Sequence, residues 1–159
     1  KGQTKSAQEY VKSMRDQATN NASLGQKLNT LSDLSNKIAE GKVGAFMSYL
    51  GSFAPNLGID PTINDRQQFE AIINGIIPTL RVPGSGTFSD DDAKMMAKSL
   101  PQLSGTAEGR AKILSDLKDK VAMQTAENDA MESYIQRYGK LDDRYYQLRN
   151  DFYKAWGKC

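Results

Sequence analysis

Apolar residues along this chain recur at steps of three and four, the spacing that lines one face of a helix, and the predicted strand content is close to nil. From Ser6 to Asn20 the residues Ala7, Tyr10, Val11, Met14 and Ala18 form one narrow stripe, and Asn20, Asn21 and Ser23 then read as a turn. A second helix, Leu24 to Ala39, carries Leu24, Leu28, Leu31, Leu34 and Ile38, with Gly41 as its stop. A short apolar piece, Phe46, Met47, Leu50 and Phe53, ends at Pro55 in a connection punctuated by Gly58 and Pro61. The most hydrophobic stripe, Phe69, Ile72, Ile73, Ile76, Ile77 and Leu80, lies on a helix from Asp65 to Leu80, with a kink or stop expected at Pro78 because proline lacks the amide donor.

Beyond the turn Val82-Pro83-Gly84-Ser85-Gly86, Ser89 ahead of Asp90, Asp91 and Asp92 reads as a helix cap followed by acids facing the positive end of the helix dipole. That helix, with Ala93, Met96, Ala97 and Leu100, is expected to end before Pro101. Thr106 caps the longest helix, Ala107 to Tyr138, whose stripe Leu114, Leu117, Val121, Gln124, Asn128, Met131, Ile135 and Tyr138 has coiled-coil spacing with two polar breaks. Gly139 ends it. A last helix, Asp142 to Trp156, holds Tyr145, Leu148, Phe152 and Trp156. No fixed-period repeat marks a solenoid.

The fold class expected is therefore all-α: an extended multi-helix chain with a long helix toward its C-terminus, completed by oligomeric or partner contacts. Composition favours sharing a core over building a large one, since 38% of the 159 residues are hydrophobic, 8% are aromatic and the mean hydropathy is −0.61. The contacts are expected on the heptad stripe Leu114, Leu117, Val121, Met131 and Ile135 and on the terminal aromatics Tyr145, Phe152 and Trp156, residue types enriched at interfaces as well as in cores. Gln124 and Asn128 in mid-seam are expected to restrict helix register.

Charge adds mainly exclusions. Twenty-one Lys and Arg balance 19 Asp and Glu, interleaved to a net +2, so no basic block supports direct DNA binding. There is no histidine, the commonest general base and metal ligand, and the single cysteine, Cys159, cannot close an internal disulfide or thiolate cage. No apolar run approaches the roughly 20 residues of a membrane span. The start at Lys1, without methionine or a secretory apolar stretch, suggests a processed chain or a fragment.

Candidate chemistry is sparse. Asp90-Asp91-Asp92 lacks the alternating ligands, mid-loop glycine and final glutamate of an EF-hand, and Gly84-Ser85-Gly86 lacks the Gly-Lys-Ser/Thr ending of a phosphate loop. The carboxylates Glu70, Glu108, Glu127 and Glu132 form no pair set in contrasting environments, as a glycosidase acid and its partner would, and Glu132-Ser133 lacks the surroundings of a lytic transglycosylase. Serine with no histidine excludes the usual acyl-transfer triad. No catalytic, cofactor-binding or metal residue is expected, and no enzyme.

One segment carries a family likeness. Ile77-Pro78-Thr79-Leu80-Arg81, Pro83-Gly84-Ser85-Gly86-Thr87, Ser89-Asp90-Asp91-Asp92, Leu100-Pro101-Gln102-Leu103 and Thr106-Ala107-Glu108-Gly109-Arg110, continued by Tyr138-Gly139-Lys140-Leu141-Asp142, Phe152 and Trp156, resemble a region of structural and DNA-ejection proteins of tailed bacteriophages. The likeness covers residues 65–156 and divides the chain into an unrecognised N-terminal segment, 1–60, and a virion-protein-like region, 61–159. In relatives of this kind an aromatic and an Asn-Pro pair often follow the last tryptophan, where this chain has Gly157-Lys158-Cys159. The resemblance implies a virion component at the portal and tail vertex or delivered with the genome toward the host cell envelope, with copies of itself and other virion proteins as partners. The other reading is an accessory segment of a peptidoglycan-degrading phage protein.

Overall fold

A computed structural model describes residues 5–40, 65–82 and 85–156 of the chain, the side chains of 37–40, 65 and 68 excepted. The expected apolar piece around Phe46 to Phe53, the turn residues Pro83 and Gly84, and the stripe position Ile38 lie outside that description. The described residues form five α-helices, α1 (Lys5–Glu40), α2 (Asp65–Ile76), α3 (Asp90–Leu103), α4 (Ala107–Tyr138) and α5 (Asp143–Trp156), with a 3₁₀ turn at Ile77–Leu80 and no strand. The all-α class and the long helix near the C-terminus stand as expected from the periodicity.

Two boundaries differ from expectation. Residues 20–23 form no turn: α1 runs through them as one 36-residue helix. Asn21, expected in the turn, is buried, and its side-chain oxygen accepts from Gln17 Nε2 at 2.9 Å, an i,i+4 pair that supports the helix instead of breaking it. The stripes on either side of Asn21 then belong to one face, which lies antiparallel along α4. Arg15 pairs with Glu132 at 2.6 Å near one end, and Ser32 and Ser35 accept from Lys118 and Arg110, at 3.2 and 2.8 Å, near the other. The second correction is Pro101, which sits inside α3 rather than beyond it. The amide proline lacks would bond the Ala97 carbonyl, and Ala97 is exposed, so water can take that acceptor. The last turn is held by Ser104 N donating to Leu100 O at 2.9 Å and by Arg66 donating to the Pro101 carbonyl.

Other local signals act as their chemistry requires. Pro78 tightens the end of α2 into the 3₁₀ turn, where Thr79 Oγ1 donates to Ile76 O at 2.6 Å. Ser89 and Asp92 form a reciprocal capping box, each side chain bonding the other's amide at 3.0 Å. Thr106 Oγ1 accepts from Gly109 N at 2.9 Å, and Gly139 closes α4 in the left-handed region at φ 84°. Gly109 has a second role, because a Cβ there would lie 1.9 Å from the Leu103 carbonyl oxygen. The close turn from α3 into α4 needs a residue without a side chain.

The core has two parts. In the larger, Leu24, Leu28, Leu31 and Leu34 of α1 meet Phe69, Ile72, Ile73 and Ile76 of α2, Leu100 of α3 and Ile113, Leu114 and Leu117 of α4, with Leu80 and Phe88 from the connections. In the smaller, Tyr10, Val11 and Met14 meet Val82, Met131, Tyr134, Leu141 and Tyr145. Each fully buried Leu or Ile contributes roughly 1.5–3 kcal/mol of transfer free energy. Between the two along the α1–α4 pair lies a polar layer: Asn21 on α1, and Gln124, Glu127 and Asn128 on α4.

Candidate functional site

Glu127 is the centre of that layer, only 1% exposed. The carboxylate stays dry because α1, the segment after Val82 and α5 each bring a hydroxyl to it. Tyr10 donates to Oε2, while Ser85, at 2.9 Å, and Tyr153 donate to Oε1. The ring of donors extends outward. The Tyr10 and Tyr145 hydroxyls are 2.7 Å apart, Ser85 bonds Thr87 at 3.0 Å, and the Gly86 amide donates to the Tyr153 hydroxyl at 3.0 Å. Arg149 lies over the rings of Tyr10, Tyr146 and Tyr153 at 5.1–5.7 Å, supplying positive charge to the same neighbourhood.

The tyrosines register this environment. Burial, reinforced by the negative charge of Glu127, pushes Tyr10 far above the ordinary tyrosine range, and burial pushes Tyr145 up as well. Tyr153 is pushed up to about 12, first by burial and then by its hydrogen bond to Glu127. Tyr134, beside the cluster, is also raised to about 12, chiefly by donating to Asp142 Oδ1 at 2.5 Å. All four hydroxyls are therefore protonated donors at neutral pH. A recess of about 120 Å³, walled by Tyr134, Leu148 and Phe152, adjoins Glu127, but both carboxylate oxygens are already engaged as acceptors. Chemically the arrangement is a clasp joining four parts of the chain, three donors to a carboxylate on α4.

The second feature is open. A groove of about 410 Å³ runs between α3 and α4, and Trp156 of α5 contributes to its lining. Its apolar wall includes Met95, Met96, Leu103 and Met123, and its rim carries Asp92, Asp116, Asp119 and Lys120. Met95 is 71% exposed, the most exposed of the large hydrophobic residues in the described part of the chain.

The interface residues expected from sequence fall on both sides of this division. Leu114, Leu117, Met131 and Tyr145 are buried within the chain, and Val121 and Ile135 pack against the two core clusters. The heptad stripe is thus covered by the protein's own α1. Phe152 and Trp156 are half-buried, their rings 5.5 Å apart, and Trp156 alone of the expected set reaches the groove. Gln124, expected to set a coiled-coil register, instead donates to the Leu80 carbonyl, with its Oε1, like Asn128 Oδ1, buried and without a partner among the described residues.

Of the four carboxylates considered as acids, Glu132 pairs with Arg15, Glu70 with Arg66 and Ser104, and Glu108 lies exposed in the first turn of α4. Periodicity missed Glu127 because it sits one position off the apolar stripe. A glutamate three residues after Gln124 and four before Met131 was the one available signal that the polar break reached the core. Among the described residues no three His, Cys, Asp or Glu side chains stand together as a metal site, and no helix is long and apolar enough to cross a membrane. No protein-family model, curated protein or solved structure matches the chain.

Proposed function

We propose that this protein is a structural or assembly component of a tailed-phage particle, associated with the portal and tail vertex or ejected with the genome. It acts through helix-mediated contacts with copies of itself and other virion proteins rather than by catalysis or direct DNA binding. The phage assignment rests on the resemblance of residues 65–156 described above. What supports contact through helices is the groove between α3 and α4, where Met95 stands 71% exposed beside half-buried Met96, Leu103 and Trp156. With Leu114, Leu117 and Met131 already occupied inside the chain, this groove offers, among the described residues, an apolar surface open to a partner.

The test is the presence and position of the chain in purified particles, read by quantitative mass spectrometry and cross-linking. Fixed stoichiometry with cross-links to portal or tail proteins is the expected result, and Met95→Asp should lower incorporation. Absence from particles overturns the reading. A zymogram on cell-wall substrate separates it from the peptidoglycan-degrading alternative, for which clearing is the expected result.

A further inference from the structure

We propose that the outer part of α5, residues 147–156, is a strap that releases from the body of the protein and reseats as a unit while the rest stays folded, with Tyr153 as its bolt. This device stands apart from the phage reading. Little apolar surface holds the strap down. Tyr145, in the first turn of α5, is the one buried residue of that helix, and it belongs to the smaller core cluster with Leu141. Beyond it Leu148 is 51% exposed, and Phe152 and Trp156 are half-buried. Phe152 packs on Trp156 of its own helix, so that contact does not tie the strap to the body. Segments with few buried apolar contacts open at a lower free energy than the core, which here joins α1 to α4 through fully buried leucines.

What seats the strap is polar and centred on one hydroxyl. Tyr153 donates to Glu127 Oε1, accepts from the Gly86 amide at 3.0 Å and lies 3.4 Å from Ser85 Oγ. Hydrogen bonds weaken steeply with displacement, so a small lift releases these contacts together. The seat is shaped for the ring. A Cβ on Gly86 would lie 2.8 Å from Tyr153 Cε2, and its nearest neighbours all belong to Tyr153, whereas the backbone of Gly86 has no positive φ that requires glycine. Alanine at this position therefore pushes Tyr153 out and leaves the segment itself unstrained. Release has two consequences: Leu148 and Phe152 leave the recess beside Glu127, admitting water to the carboxylate, and Trp156 leaves the lining of the α3–α4 groove. One stretch of helix thus sets how open both are.

Native-state hydrogen exchange on the full chain, read amide by amide by NMR, tests the strap. A released piece of about three turns is too short to stay helical alone, so release exposes its amides to exchange. The amides of residues 151–156 should share one opening constant, about a hundredfold or more above that of Leu114, Leu117 and Met131 in α4. Low urea should leave the strap's exchange unchanged, because little surface is exposed on release, while it speeds exchange in α4. Tyr153→Phe and Gly86→Ala should each raise the strap's opening constant about tenfold. Leu117→Ala, in the larger cluster, should speed exchange in α4 and leave the strap as it is. Far-ultraviolet circular dichroism of each variant checks that the fold is kept.

Three outcomes would overturn the assignment. Strap amides that open only as rarely as those of α4, or that follow Leu117→Ala in step with them, would make α5 part of one cooperative unit. Opening constants that rise steadily from residue 151 to residue 156 would be simple fraying of a helix end. Strap exchange indifferent to both Tyr153→Phe and Gly86→Ala would leave the strap without its bolt.

Discussion

Tyr10, in the second turn of α1, donates its hydroxyl to Glu127 near the middle of α4, 117 residues further along the chain. The same carboxylate accepts from Tyr153 on α5 and Ser85 in the connection before α3, so one side chain ties together four parts of the chain. A buried carboxylate held this way gives up its hydration for hydrogen bonds from neutral donors.

Removing the acceptor should therefore cost more than removing any single donor. Glu127→Ala leaves one buried and two part-buried hydroxyls without it and should lower stability by about 3 kcal/mol or more, while Tyr10→Phe should cost about 1–2 kcal/mol. Urea denaturation of each variant checks this. In a Glu127→Gln background the Tyr10→Phe cost should shrink, because the donor has lost its charged acceptor. Additive losses would show that Tyr10 and Glu127 are not coupled.

The clasp also fixes how stability responds to alkali. Tyr153 has an ordinary value of 10.0 and a folded value of about 12, so the folded state holds its proton more tightly than the unfolded chain does. That contribution is fully present below about pH 10 and is lost as pH rises through about 12. Tyr10 and Tyr145, raised by burial, act in the same direction. Ultraviolet titration of tyrosinate should show a late group of tyrosines ionising together with loss of helical circular dichroism. Tyrosines that all titrate near their ordinary value with the fold intact would contradict the buried network.

At the turn between α3 and α4, Gly109→Ala should destabilise by about 2–3 kcal/mol, since a Cβ 1.9 Å from the Leu103 oxygen forces the two helices apart. A thermal melt matching the parent would mean that the turn is looser than drawn.

Ser89→Ala and Thr106→Ala should each cost about 1 kcal/mol, because each hydroxyl accepts from an amide that has no intrahelical partner. Melting of the single variants measures both, and the two losses should add if the caps act independently.

Leu117, 0% exposed, lies in the core between α1 and α4, so Leu117→Ala should cost about 2–5 kcal/mol and leave the solution mass unchanged. Light scattering beside urea melts checks the pair. A fall in mass with stability retained would return this position to the assembly surface.

What the sequence determined by itself is whatever depends on residues within a turn of one another. Ser89 with Asp92, Thr106 with Gly109, the tightening at Pro78 and the left-handed stop at Gly139 are local hydrogen-bond and backbone preferences, legible from spacing alone. The apolar stripes likewise announced helices, because the 3.6-residue period belongs to each helix separately. Tertiary structure decided the rest. Residues 20–23 remain helical because both halves of α1 bury against one continuous partner, α4, and no property of Asn21 alone foretells that. Pro101 stays inside α3 because the acceptor it abandons faces solvent while Leu100 packs in the core. Leu114, Leu117 and Met131 were visible as an apolar seam, but which surface covers a seam depends on residues almost a hundred positions away. Glu127 was least legible of all: its donors, Tyr10, Ser85 and Tyr153, meet only when the chain has closed on itself, and a carboxylate reads as a solvated side chain until they do.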